Sequence, residues 1–273
     1  MLLANVIPRF PASLKPLRFP GVDLPEDEVH LWQANLDSHD ASIFESFLSA
    51  DEIARANRFH FSSDRKHYVV CRGLLRNLLA AYLSVDGRKL QFCYGAQGKP
   101  FVIQQDERQI NFNVSHSHGR AAFAFAVNKE LGVDIEFVKS DFEVDEIAQH
   151  FFSRNEVASL RVVPAHLRKH CFFNCWTRKE AYIKARGEGL SMPLNEFDVS
   201  LRPDEPVALL NNYREERELS RWSMRSIPAP EGYVGAVVVT GNDWTLKSFS
   251  FENSQRAKTL RTRGQVQAQA SVA

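Results

Sequence analysis

The stretch AAFAFAVNKELGVDIEFV, residues 121–138, decides the fold. Ala121 to Val127 is an apolar extended run, Asn128 a break, and Gly132 to Val138 a second strand with polar and apolar residues alternating. Side chains alternate faces along a strand, so Asp134 and Glu136 point one way and Val133, Ile135 and Phe137 the other. Long helical patterns flank this pair. One runs from Asp64 to about Leu83, with Val69, Val70, Leu74, Leu75, Leu78 and Leu79 as its apolar positions. The other runs from His166 to Arg186 and is stopped by Gly187 and Gly189.

Further out, Val29 to Leu36 alternates as a half-buried strand does, and Ile43 to Leu48 is a short helix. Ser49 with Glu52, and Ser153 with Glu156, have the spacing of a capping box, and each opens a helix. Leu90 to Tyr94 and Phe101 to Ile103 are strands around the turn Gly95 to Pro100, and Ile110 to Val114 is extended. A helix is expected near Val144 to His150. Trp222 to Ile227, Gly232 to Thr240 and Trp244 to Phe251 read as strands, the second strongly β-branched. Long helix, then strands, occurs twice. That order predicts an α+β fold of two similar α/β subdomains in a pseudo-twofold arrangement, with the seam near Asn128. The expected organisation is an N-terminal extension over 1–21, subdomains over 22–127 and 128–253, and a disordered polar tail over 254–273.

The 273 residues are enough to bury a sizeable core, and 44% hydrophobic with 25% charged is ordinary for a soluble domain. A formal charge of +1 carries no basic excess of the kind a nucleic-acid binder shows. No run approaches 18 apolar residues, and Met1 to Gly21 lacks the apolar core of a signal peptide, so no membrane segment is expected. Cys71, Cys93, Cys171 and Cys175 form no Cys-x-x-Cys pair and no zinc spacing; reduced thiols in a cytoplasmic protein are the expectation.

Four segments can do chemistry. Asp134 and Glu136, side by side on one strand face, repel unless a cation or proton lies between them, and hard oxygens suit Mg²⁺. Taken alone they read equally well as two acids on a solvated edge strand. On the helix FFNCWTRKEAYIKA, residues 172–185, Trp176, Glu180 and Lys184 share a face at i, i+4 and i+8. Glu180 can be a third carboxylate or a base, and Lys184 can neutralise a phosphate; the bland alternative is an exposed i,i+4 pair. Phe112 to Gly119 ends a strand in a loop rich in hydroxyls and imidazoles. Ser115 and His116 can bond a phosphate there. A nucleophilic Ser–His pair is disfavoured, because adjacent strand residues point apart and no Gly-x-Ser-x-Gly elbow is present. Gly98-Lys99-Pro100 is not a Walker loop and by itself is a hairpin turn with a lysine.

In order, Gly98-Lys99-Pro100, Phe112-Asn113-Val114-Ser115-His116-Ser117, Gly132-Val133-Asp134-Ile135-Glu136, Phe152-Ser153-Arg154-Asn155-Glu156 and Trp176-Thr177-Arg178-Lys179-Glu180-Ala181-Tyr182-Ile183-Lys184 resemble the Sfp-type 4′-phosphopantetheinyl transferases. The resemblance covers about Phe47 to Phe197, with looser flanks. It implies transfer of the 4′-phosphopantetheine arm of coenzyme A to a serine of an apo acyl, peptidyl or polyketide carrier protein, leaving 3′,5′-ADP. It implies Mg²⁺ or Mn²⁺ held by Asp134, Glu136 and Glu180, with Glu180 also the base, directly or through water. Lys184 would contact the transferred phosphate. Ser115, His116 and Arg55 would hold the 3′-phosphate, and the turn Gly95 to Pro100, with Gly98, would cradle the adenine, with Lys99 near the phosphates. Arg72 and Arg76 are further cations without an assigned role. The length resembles the monomeric two-half type rather than the short trimeric synthases. Two rival readings are a metal-dependent nuclease, against which the near-neutral charge argues, and a non-catalytic coenzyme A or carrier-binding module, which would not need three acids.

Overall fold

The computed structural model of the chain describes residues 23–140 and 143–251. The expected extension over 1–21 and the tail over 254–273 lie outside them. The elements are β1 (Glu28–Asn35), α1 (Ala41–Glu45), α2 (Ala50–Ala56), α3 (Ser62–Leu83), β2 (Phe92–Tyr94), β3 (Pro100–Val102), β4 (Ile110–Ser117), β5 (Arg120–Val127) and β6 (Leu131–Phe137). They continue with α4 (Val144–Phe151), α5 (Arg154–Val162), α6 (Ala165–Arg186), β7 (Phe197–Val199), β8 (Leu209–Asn212), α7 (Glu218–Arg221), β9 (Trp222–Ser226), β10 (Tyr233–Thr240) and β11 (Thr245–Ser250). The fold is α+β, as expected. β4 runs three residues past the expected Val114, so Ser115 to Ser117 are strand and not loop. The short pair β7–β8 carries no period long enough to read from sequence.

Packing divides the chain into two compact units that interleave along the sequence. This partition differs in kind from a duplication seam at Asn128, which packing does not test. Among the described residues, one unit comprises Asp23, Trp32–Leu90 and 248–251. Its centre is α3, which starts after Phe61 rather than at Asp64 and ends on Ser84 in the left-handed region. The capping box of Ser49 and Glu52 is formed. Glu52 is buried there and accepts from Arg72 Nε at 2.5 Å and Arg76 Nε at 2.7 Å. Arg76 also donates to the carbonyls of Gly87 and Leu90. Arg72 and Arg76 are therefore part of the packing of this unit, each tied to a buried acid.

The other unit comprises Leu24–Leu31 and Gln91–Lys247. β6, β10 and β9 form an antiparallel sheet in that order, with Ala236 opposite Asp134 and Val234 opposite Glu136. One face of it packs Val133, Ile135, Val237 and Val239 against Ala122, Ala124 and Ala126 of β5. The other face, with Val234, Ala236 and Val238, packs on Phe172, Cys175, Tyr182 and Ile183 of α6. The helix thus covers the strand face that bears Gly132, Asp134 and Glu136. α6 ends where Gly187 takes a φ of 72°, which costs glycine little. Its midpoint is anchored by Lys179, fully buried, whose ammonium reaches Glu156 at 2.8 Å and the carbonyls of Leu194 and Phe197. Glu156 is fixed in turn by the capping box of Ser153.

Candidate active site on β6 and α6

Gly132 sets the site. A Cβ there would come within 2.1 Å of the Ala181 carbonyl oxygen and 2.3 Å of the Ala185 amide nitrogen. Both are backbone atoms that no rotamer change can move. Only glycine lets α6 lie this close to β6, and that contact brings the acids of the strand to the polar face of the helix.

Lys184 Nζ lies 2.5 Å from Asp134 Oδ1 and 3.3 Å from Ser115 Oγ. The bland alternative pairs Lys184 with Glu180 at i,i+4, but its ammonium lies on Asp134, because Gly132 brings the strand acid against the helix. Burial acts to lower the Lys184 ammonium, yet Asp134 beside it, with Glu180 and Glu136, prevails and holds it above the usual lysine range. Asp134 is only 2% exposed, and its second oxygen, Oδ2, is buried with no hydrogen-bond partner. Burial and the neighbouring Asp134 raise Glu136 above the usual carboxylate range. Glu180 is raised as well, by burial first, with Lys184 acting in the opposite direction.

These oxygens fit a hard divalent cation in kind: one carboxylate oxygen is left without a partner, and two further carboxyls are raised, by burial first. They are not gathered into a finished ligand set. Among the described residues, no group of three His, Cys, Asp or Glu side chains stands together so as to hold an ion. The only cation on Asp134 among them is the ammonium of Lys184.

An open cavity of about 430 Å³ lies beside these groups, lined by Gly98, Lys99, Pro100, Glu180 and Lys184 among others. The expected turn forms one of its walls. Gly95 N–H donates to Lys99 O and Gly98 N–H to Gly95 O, with Gly98 at a φ of 78°. The ammonium of Lys99 is drawn into the fold, donating to the carbonyls of Leu131 at 2.9 Å and Ala185 at 3.1 Å. It therefore ties the hairpin to the start of β6 and the end of α6, and burial pulls it down to about 8.

His116 is exposed on β4. Ser115 is buried, and its hydroxyl donates to Asp134 Oδ1 at 2.7 Å. Arg55 belongs to the other unit, with its guanidinium 5.5 Å over the ring of Tyr68. Three residues of this face stand in the sequence motifs without an assigned role: Gly132, Asn113 and Ser117. Ser117 donates to Glu136 Oε2 at 2.6 Å. The alternation Asn113-Val114-Ser115-His116-Ser117 was the available signal, since every second residue is polar and faces one side.

Among known proteins, a family described as the 4′-phosphopantetheinyl transferase superfamily matches residues 130–238. One described as 4′-phosphopantetheinyl transferase, N-terminal, matches residues 31–128. The 4′-phosphopantetheinyl transferase HetI of Nostoc sp. (strain PCC 7120) is 34% identical over 235 residues, 85% of this chain and 96% of that protein. The 4′-phosphopantetheinyl transferase Sfp of Bacillus subtilis is 31% identical over 166 residues, 61% of this chain and 72% of that one. A solved structure described as the Chronobacterium ammoniagenes ACPS-CoA complex covers 42% of this chain and 98% of its own at 17% identity and a TM-score of 0.30, too low to bear on the fold.

Proposed function

The chain belongs to the 4′-phosphopantetheinyl transferase superfamily, of the Sfp type, and on that footing we propose how its own residues carry the transfer. The enzyme moves the 4′-phosphopantetheine arm of coenzyme A to a carrier protein. The serine oxygen of the carrier forms a bond to the β-phosphorus, and the bond from that phosphorus to the oxygen of the departing 3′,5′-ADP breaks. Glu180 accepts the serine proton.

Asp134, Glu136 and Glu180 would hold Mg²⁺ or Mn²⁺. When bound, that ion supplies a Lewis acid for the charge of the pyrophosphate. Lys184, one turn beyond Glu180, meets the transferred phosphate after leaving Asp134. The hairpin Gly95 to Pro100 cradles the adenine, with Gly98 and Pro100 in the wall. Lys99 holds that wall to β6 and α6 and faces the same cavity. His116 takes the 3′-phosphate. In-line positioning by these groups supplies much of the rate. The two matched families meet between residues 128 and 130, which supports reading the chain as halves over 22–127 and 128–253.

The observation that supports the metal assignment is the orphaned Oδ2 of Asp134, a buried acceptor that no protein group satisfies. The test is mass spectrometry of apo acyl, peptidyl and polyketide carriers incubated with coenzyme A, with Mg²⁺, Mn²⁺ or a chelator. A gain of one phosphopantetheine arm is expected only with a divalent ion, and Asp134→Ala and Glu180→Ala should abolish it. A full gain in chelator, or in either variant, overturns the assignment.

A further inference from the structure

A second cavity, of about 330 Å³, lies in the same unit as the candidate active site. Pro100 and Val102 of β3, Ile110 and Phe112 of β4 and Leu131 of β6 form its apolar wall. Ile110, Phe112 and Leu131 are buried, so the floor of this cavity belongs to the packed interior. It shares Lys99, Pro100 and Gly187 with the 430 Å³ cavity, but not Asn113, Glu180 or Lys184. The two are neighbours with different linings.

Polar groups at the rim are matched within the chain. Gln104 pairs with both the N–H and the carbonyl of Ile110. Asn111 donates to the Lys129 carbonyl at 3.0 Å. The Glu130 carboxylate is held by the Arg221 guanidinium. Lys99 differs. An ammonium has three protons to donate, and two of them go to the carbonyls of Leu131 and Ala185. Among the described residues no carboxylate pairs with it; Glu130 acts on it without an ion pair, and burial prevails. Leu131 lines this cavity and not the larger one, so the ammonium reaches the smaller. An apolar hollow thus ends in a half-buried cation that lacks a counter-charge.

We propose that this cavity is a second small-molecule site, separate from that of the coenzyme, which takes a small apolar monocarboxylate with its carboxylate on Lys99 and its body against Val102, Ile110 and Phe112. Its volume is within the usual range for ligand cavities. A carboxylate there would supply the missing counter-charge through a charge-assisted hydrogen bond. Lys99 also stands in the wall of the larger cavity, so the acid and coenzyme A draw on one ammonium and each weakens the other by the same factor. That coupling rests on the reading of the larger cavity as the coenzyme site; binding of the acid does not.

The experiment titrates the full chain with cinnamate and with its neutral amide, cinnamamide, by calorimetry, and locates the ring by nuclear Overhauser effects. Cinnamate should bind saturably, with contacts to the methyls of Val102 and Ile110. Cinnamamide should bind about 10–100-fold more weakly, because it forfeits a hydrogen bond between charged groups. Lys99→Met should reduce cinnamate to the level of the amide, and Lys99→Arg should restore part of the loss. If Lys99→Met does not fold, the comparison of acid and amide on the wild type decides. No saturable cinnamate binding, equal affinity for the amide, or contacts away from these methyls would overturn the proposal. As cinnamate is added, the apparent dissociation constant of coenzyme A should rise to a plateau. A rise without limit would put cinnamate in the coenzyme cavity and overturn the second site, and an unchanged constant would overturn the coupling. Failure of the wild type to bind coenzyme A would remove the coenzyme reading instead and leave cinnamate binding standing.

Discussion

Replacing Gly132 by alanine tests the contact on which the site is built. The added Cβ would sit 2.1 Å from the Ala181 oxygen, so β6 and α6 must separate by about 1.3 Å to restore an ordinary 3.4 Å contact. The crowding atoms at 181, 184 and 185 are backbone, so the helix or the strand has to move as a whole. Overpacking of this kind costs roughly 1–3 kcal/mol of stability. Catalytically, a shift of about 1 Å typically costs on the order of 100-fold, about 2.7 kcal/mol of barrier, because Asp134 and Glu136 move with the strand and Glu180 and Lys184 with the helix. The assay is kcat/KM for transfer to one apo carrier, normalised to the folded fraction, beside a urea unfolding curve. A variant with wild-type kcat/KM per folded molecule would refute the argument, whatever its stability, because the spacing of strand and helix would then not set the chemistry.

Two further predictions concern a buried and a half-buried lysine. Lys179→Met leaves Glu156 buried without its ammonium and strips two carbonyls of their donor. Breaking such a pair costs about 3–5 kcal/mol, so urea unfolding should show a loss of that order, and a loss under about 1 kcal/mol would contradict the anchoring role. Lys99 is held near 8 by burial, below the roughly 10.4 of an unfolded lysine. The cost of keeping it charged is present in full below pH 8 and fades as pH rises from 8 toward 10, where the folded state sheds its proton first. The stability of the wild type relative to Lys99→Met should therefore increase with pH across that window; a flat difference between the two unfolding curves would show that the amine is not desolvated.

The secondary structure was legible because its signals are local. The two capping boxes at Ser49 and Ser153, the alternation of Gly132 to Val138 and the glycine after Arg186 are each read within a few residues, and each is formed. That Asp134 and Glu136 share a face follows from the period of a strand, and that Glu180 and Lys184 share one follows from the turn of a helix. Ser117 and Gly132 were within reach of the same reasoning but gave no sign of importance, since a serine beside a histidine and a glycine before a valine are ordinary.

Sequence by itself determined the longer elements, the faces their side chains occupy and the family to which the motifs belong. Tertiary structure decided the partners. Lys184 is fifty residues from Asp134 and four from Glu180, yet its ammonium lies on the distant acid. Lys99, in a hairpin turn, reaches a carbonyl 86 residues away, and Ser115 lies 19 residues from the carboxylate it holds. Short-range periodicity is set by backbone geometry and can be counted along the chain. Which charge meets which depends on how closely two surfaces approach, and here that distance is set by the missing side chain of one glycine.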